Sequence, residues 1–259
     1  MIIQIDHIAL SSDDIEGDVE TMKRLGYRPV FVEKNIKNLR IKRDLLRVFN
    51  SRHDAALMVS DGNFGVELID HKHTDIRRNN IMPVFENVPE GFIEEVEERQ
   101  INGAVFMAAD MKDLDAPVYC LNNAEAGSFR FNKAVVKTRD VRRSIAFWQC
   151  FGFRVIQHAE ERAVMEFASP VSKYAYRIYL QNSDSVNDMP LLDNAGYNCI
   201  GFISTEAENE KDVLDGKGFR TTGIEDVTLN GRTFDIFFAI GDCGELAEVI
   251  SVKNERIAK

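Results

Sequence analysis

IDHIALSSDDIEGDVETMKRLGYRPV, residues 5–30, aligns without a gap onto FNKAVVKTRDVRRSIAFWQCFGFRVI, residues 131–156, at an offset of 126. Asp14 meets Asp140, Gly26 meets Gly152 and Arg28 meets Arg154, while Ile15 faces Val141, Val19 faces Ile145 and Tyr27 faces Phe153. Each copy opens with a β-rich run, IALS or AVVKT, that ends in helix-start chemistry. Ser12 or Asp13 is expected to cap the first helix, and Thr138 or Asp140 the second. Apolar residues then recur at helical spacing: Ile15, Val19 and Met22 in one copy, Val141, Ile145 and Trp148 in the other. Gly26 and Gly152 fall where a left-handed helix terminator is wanted, and a second strand follows at once.

Two weaker copies interleave with these. Residues 81–108 predict a strand, a helix start at Pro89, a short helix through Phe92 and Val96, then Gly103 and another strand. Residues 197–222 predict the same order, with Gly218 as the helix stop. Further strand-like runs close each unit, among them HDAALMVSDGNFGVELID, YAYRIYLQ and TFDIFFAIGDCGELAEVISV. The chain therefore reads as an α+β protein of four βαβββ modules, at 1–75, 76–130, 131–190 and 191–259, grouped into halves 1–130 and 131–259.

Composition bounds the function. At 259 residues the chain can bury roughly three quarters of its unfolded surface, enough for one large core or two modest ones. A formal net charge of −10 argues against nucleic acid or an anionic membrane as partner. No run approaches the length of a membrane helix, and the N-terminus lacks the basic start of a signal peptide. Cys120, Cys150, Cys199 and Cys243 are widely spaced and form no CxxC pair, which suits reduced thiols and a cytoplasmic location. No phosphate-loop, dinucleotide or serine-hydrolase motif occurs.

Four βαβββ modules, with DHIAL at the first strand and GVELID at the last strand of module one, resemble the vicinal oxygen chelate superfamily. That group includes glyoxalase I, methylmalonyl-CoA epimerase, extradiol dioxygenases and the bleomycin- and fosfomycin-resistance proteins. The resemblance implies two glyoxalase-like half-barrel domains, 1–130 and 131–259. It also implies a divalent metal in a cup formed by two modules, with ligands from the first and last strand of each. Carried over residue by residue, module one offers His7 and Glu67. Module two offers Met82 and Arg130, and module three offers Lys133 and Tyr179. Module four offers Cys199, in NCIGF where relatives usually carry a histidine, and Glu248, with Glu245 three residues earlier as the alternative placement. If neighbouring modules share a cup, as in extradiol dioxygenases, these ligands are split between cups. If the outer modules pair, as in the tandem form of glyoxalase I, His7, Glu67, Cys199 and Glu248 converge and the other cup is dead as a metal site. The outer pairing is the more economical.

One imidazole, one thiolate and two carboxylates suit zinc best, with nickel, cobalt, manganese or iron as alternatives. The resemblance to glyoxalase I implies a lyase or isomerase acting on a small oxygen-rich molecule through an enolate-like intermediate. Glu67 or Glu248 would be the catalytic carboxylate that moves the proton. Two other readings stand beside it: a metal-free protein that sequesters a small molecule, as bleomycin-resistance proteins do, and an extradiol dioxygenase, which lacks its two histidines here. The internal duplication suits a monomer, with a homodimer as the alternative.

The segment at 34–52 carries seven basic residues against one acid. Ile41, Leu45, Val48 and Phe49 predict an amphipathic helix there with a solvated basic face, and the resemblance implies that an insertion at this point of module one can lie over the cup. On that reading Arg40, Arg43 or Arg47, with Lys37, would hold an anionic group of the substrate. His71 and His73 read as a solvated strand end, and His53 and His158 are given no role.

Overall fold

The computed structural model describes residues 1–253 except 79, 90, 102–103, 112–116, 122–127, 188 and 230. Module one runs β1 (Ile2–Ser11), α1 (Ile15–Arg24), β2 (Arg28–Lys37), a 3-10 helix (Arg40–Leu45), β3 (Arg52–Val59), β4 (Gly65–Asp70) and β5 (Asp75–Arg78). Module two runs β6 (Ile81–Glu86), β7 (Ile93–Ile101), β8 (Ala104–Met111) and β9 (Pro117–Leu121). Module three has β10 (Arg130–Thr138), α2 (Val141–Gln149), β11 (Arg154–Ala159), β12 (Arg162–Ala168) and β13 (Ala175–Asn182), and the short β14 (Asn194–Ala195) opens module four. Module four has β15 (Tyr197–Ser204), α3 (Ala207–Gly216), β16 (Arg220–Thr221), β17 (Glu225–Leu229), β18 (Arg232–Ile240) and β19 (Leu246–Val252).

The helix boundaries follow the sequence signals, with one shift. The Asp14 carboxylate, rather than Ser12 or Asp13, accepts the hydrogen bond from Gly17 N at the start of α1. The duplicate Asp140 does the same for Arg143 N in α2. Gly26 and Gly152 end the two helices at φ of 88° and 89°, the left-handed region their position in the repeat demands.

Two sheets carry the four modules. The first runs β16-β18-β19-β15-β1-β4-β3-β2, with β17 paired to β18, and joins modules one and four through the antiparallel pair β1–β15. The second runs β11-β12-β13-β10-β6-β9-β8-β7 and joins modules three and two through β10–β6. Each half of the chain, 1–130 and 131–259, thus gives one module to each sheet. Within a module the first and last strands are parallel, as in β1–β4 and β15–β19.

One large core lies between the sheets and around the helices. Phe64 of module one stacks on Tyr176 of module three at 4.7 Å, and Phe151 at the end of α2 stacks on Phe202 of β15 at the same distance. Trp148, fully buried in α2, meets Phe202 as well. Burying an aromatic side chain of this size contributes about 1.5–3 kcal/mol, so these contacts weld the third module to the first sheet.

Two predicted helices are absent. Residues 93–101, expected to continue a helix from Pro89, form strand β7 and pair with β8 from Ile93–Met111 to Ile101–Ala104. Hairpin hydrogen bonds satisfy the backbone there, and the short link from β6 leaves no length for a helix. Phe92 still packs inward, beneath the Arg24 guanidinium at 4.9 Å. Gly103 lies outside the described residues. The basic segment 34–52 is equally not one amphipathic helix: β2 extends to Lys37, and only the six residues Arg40–Leu45 coil, as a 3-10 turn. Distant groups hold this loop instead. The Asp193 carboxylate accepts from Arg47 N and Val48 N, and Asn38 is tied to the Asn50 and Ser51 carbonyls. Val48, read as apolar-face, is exposed.

The Phe202→Ala variant is expected to lose about 3–5 kcal/mol of unfolding free energy in urea titrations. A loss under about 1 kcal/mol would show that the aromatic seam between α2 and β15 is not what ties the modules together.

Candidate metal centre

Strand β1 breaks its pairing at the place that matters. Its partners on β15 run Ile5 with Phe202 and then His7 with Gly201, which leaves Asp6 as an extra residue, a β-bulge. In an unbroken strand Asp6 and His7 would face opposite sides of the sheet. Here both line one cavity. The Asp6 carboxylate lies 3.0 Å from His7 Nδ1 and accepts its hydrogen bond, which orients the ring with Nε2 toward the other two carboxylates.

Glu67 reaches that nitrogen from β4 and Glu248 from β19, because Ala9 pairs with Glu67 and Gly201 pairs with both His7 and Glu248. Nε2 lies 3.3 Å from a Glu67 oxygen and 3.2 Å from a Glu248 oxygen. It is buried and aligned for a hydrogen bond with neither. The three ligand atoms fall within 4.8 Å of one another, the one such trio of His, Cys, Asp or Glu among the described residues. Two ligands at about 2.0–2.1 Å from a tetrahedral ion stand about 3.3 Å apart, so the observed spacing fits a divalent cation of zinc size. Gly201 makes room for the ring: a Cβ there would lie 2.7 Å from Nε2 and 2.8 Å from Nδ1.

The electrostatics agree with a cation-seeking site. Burial alone would pull the His7 pKa down, but the Glu67 charge, the Asp6 hydrogen bond and Glu248 outweigh it and hold it well above the ordinary range. Burial raises the Glu67 acid, opposed by His7 and reinforced by Glu248. The trio therefore retains a proton that a metal ion would displace.

The cavity encloses about 490 Å³ and opens from the trio toward one end of the sheet. Its walls are Val30, Phe31 and Leu57 on one side, Val227, Phe234 and Ile236 on the other, with Ile203 and Ile250 between and Arg232 at the rim. The opposite end is filled. Leu39, Leu45 and Leu46 from the 3-10 segment and Leu192 pack onto Ala9, Cys199 and Leu246.

Of the residues singled out in the sequence, the structure brings His7, Glu67 and Glu248 together and leaves Cys199 out. Cys199 occupies the position that mirrors His7, opposite Ala9, yet it is wholly buried in the leucine floor. Burial first, then Glu248 and Glu67, push its thiol well above the usual range, so it is a protonated core side chain rather than a thiolate. Glu245 lies away from the trio, bound to the Ser144 hydroxyl and Cys243 N. Arg40, Arg43 and Arg47 do not line the cavity: Arg40 is exposed, Arg43 lies over the Phe49 ring at 4.9 Å, and Arg47 pairs with Asp75. Lys37 borders a separate hollow of about 310 Å³. Asp6, Gly201 and Arg232 were missed in sequence. Only a glycine inside an apolar strand, as at Gly201, could have signalled close approach.

The second sheet shows the same positions emptied of ligands. Lys133, the duplicate of His7, forms an ion pair with Glu86. Met82 mirrors Cys199, opposite Val135, and Tyr179 takes the place of Glu67, with its phenol pushed up by burial. Arg130 is not on the last strand of module two, as expected, but begins β10; the position matching Glu248 is Tyr119 on β9.

No family model matches the chain, and no curated protein matches its sequence. Solved structures do. A V278E mutant of glyoxalase I from Zea mays shares 13% identity and a TM-score of 0.66, over 96% of this chain and 92% of that one. Unmutated Zea mays glyoxalase I gives 12% and 0.63 over 96% and 92%. A Bacillus subtilis protein carrying a dioxygenase designation gives 10% and 0.67 over 98% and 86%. The chain has the vicinal oxygen chelate fold of glyoxalases and dioxygenases. No helix among the described residues is long and apolar enough to cross a membrane.

The histidines outside the centre do not behave as a solvated strand end. His71 is buried and its ring lies 5.8 Å from that of His53. Burial and Lys42 lower His53 from 6.5 to about 3, and burial, Lys42 and His53 hold His71 well below its usual range. Both imidazoles take a proton more readily unfolded than folded, so stability is full above about pH 6.5 and falls as the pH drops toward 3. The urea midpoint is expected to decline across that window, with a shallower decline in His53→Gln; parallel curves for the two proteins would refute the assignment.

Proposed function

We propose that the protein is a divalent-metal-dependent lyase or isomerase of the glyoxalase type, acting on a small oxygen-rich molecule through an enolate-like intermediate. One observation carries the reading: His7 Nε2 is buried without a hydrogen bond, 3.2 and 3.3 Å from two carboxylate oxygens on different strands. His7, Glu67 and Glu248 would hold the ion, and zinc fits the trio best. When bound, the ion supplies Lewis-acid stabilisation of negative charge on a substrate carbonyl oxygen.

The remaining chemistry belongs to the chain. Asp6 fixes the His7 ring and its tautomer. Glu67 is the better proton carrier of the two carboxylates. Its side chain is 19% exposed against 7% for Glu248, which leaves it the freer of the two to meet a substrate carbon. In this role Glu67 takes a proton from the carbon beside the carbonyl and returns it to the neighbouring atom, while Glu248 stays in place. The apolar walls keep bulk water from the intermediate.

A metal-free sequestering protein is favoured by a different observation, the raised His7 pKa, since a protonated imidazole between two carboxylates is charge-compensated without an ion. A dioxygenase is not favoured: iron that activates oxygen is held by two histidines and a carboxylate, and the trio here has one histidine.

Protein purified without chelator and assayed for metal discriminates the first two. About one divalent ion per chain is expected, lost in His7→Ala and Glu67→Ala, reduced in Gly201→Ala, whose methyl displaces the ring, and retained in Cys199→Ala and Lys133→Ala. Absence of metal from the wild type at saturating zinc would overturn the enzyme reading in favour of sequestration.

A further inference from the structure

The cavity side chains are ordered along the strands. Level with the trio are His7, Gly201, Glu248 and Phe238, which are register partners in turn. One step toward the opening is a row of isoleucines: Ile203 pairs with Ile250, and Ile250 with Ile236. The next residue of β18 on the same face is Phe234, opposite Val227, and the one after that is Arg232. Successive same-face residues on an antiparallel strand lie about 6.8 Å apart, so Arg232 stands about 20 Å of strand from the level of Glu248, with only Ile236 and Phe234 between on that face of β18. Arg232 is exposed, and no carboxylate pairs with it among the described residues. In a chain of net charge −10, an unpaired cation at the rim of an apolar trough is a selective feature rather than general surface chemistry. The far end of the cup is closed by Leu39, Leu45 and Leu46, so a ligand held at the trio can extend in one direction only.

We infer that the ligand of this cavity is an elongated amphiphile: two vicinal oxygens at the His7–Glu67–Glu248 end, an unbranched apolar body along Ile203, Ile250, Ile236 and Phe234, and an anionic terminus at Arg232. The head-group assignment rests on the metal reading; the apolar track and the anion contact do not. Arg232 is thus a specificity-determining residue that touches the far end of the ligand and no reacting atom. The trough excludes ligands that carry charge in the middle, because Ile203, Ile250 and Ile236 would bury that charge without a partner.

The test uses two probes of matched length on the zinc-loaded full chain: octanohydroxamic acid, and the monohydroxamic acid of suberic acid, which carries a carboxylate in place of the terminal methyl. Isothermal titration is expected to show the ω-carboxylate binding about fivefold more tightly, an advantage that shrinks with added salt, as for a partly exposed ion pair. Arg232→Gln should abolish the advantage and leave octanohydroxamic acid unchanged. Equal binding of the two probes by wild type, or an advantage that survives in Arg232→Gln, overturns the inference. Decanoate titrated into chelator-treated wild type and Arg232→Gln separates the two readings. If hydroxamates fail to bind but decanoate affinity still falls in Arg232→Gln, the metal reading is lost and the track stands. If decanoate binds both alike, or neither, the track is lost.

Discussion

The structure depends on the antiparallel ladder between β1 and β15. It joins the first strand of the chain to the first strand of the last module, and by doing so makes one sheet out of two units separated by the whole second sheet. His7 and Glu248 are neighbours only because Gly201 pairs with one on its left and the other on its right. The aromatic seam of Phe151, Trp148 and Phe202 holds that ladder against α2, so the duplicated third module acts as a clamp on the pairing of the first and fourth.

A buried imidazole between two carboxylates is costly to desolvate and is tolerated only with tight local compensation. Three features supply it. The bulge at Asp6 turns a neighbouring carboxylate to the same face and fixes Nδ1. The absent side chain of Gly201 leaves the ring its space. The buried Lys42, whose ammonium lies 5.6 Å from the Phe238 ring centroid, adds a positive charge that lowers the Glu67 acid. Burial is the larger cause of the lowered His53 and His71 pKa values, and the same lysine adds to it, so one side chain of the 3-10 segment acts on two groups of titratable residues. The basic segment acts through its buried member and its leucines rather than through its exposed arginines.

The two sheets are duplicates that diverged at the same positions. Where the first has His7, the second has Lys133, tethered to Glu86; where the first has Glu67 and Glu248, the second has Tyr179 and Tyr119. An ammonium fixed by its own carboxylate fills the place of a cation, and burial pushes the Tyr179 phenol further above its usual range. The ladder and the packing survive this exchange because they depend on backbone pairing and on the opposite face of each strand.

The sequence by itself determined the modules, the helix stops at Gly26 and Gly152, the outer pairing as the economical solution, and His7, Glu67 and Glu248 as the residues to watch. The modules and helix stops are written in local periodicity and in an ungapped internal match, which need no knowledge of what packs where; the pairing and the three residues came from the resemblance to the vicinal oxygen chelate superfamily. Tertiary structure decided the rest. Residues 93–101 became a strand because β8 offered its backbone better partners than a short helix would, and 38–51 became a loop around one 3-10 turn because Asp193, far along the chain, supplied acceptors for its backbone. Cys199 lies at the right register but under three leucines brought from elsewhere, and Asp6 joins the centre through a one-residue bulge that strand alternation alone would never place there. Each of these outcomes turns on contacts between residues distant in sequence, and a linear pattern carries no record of them.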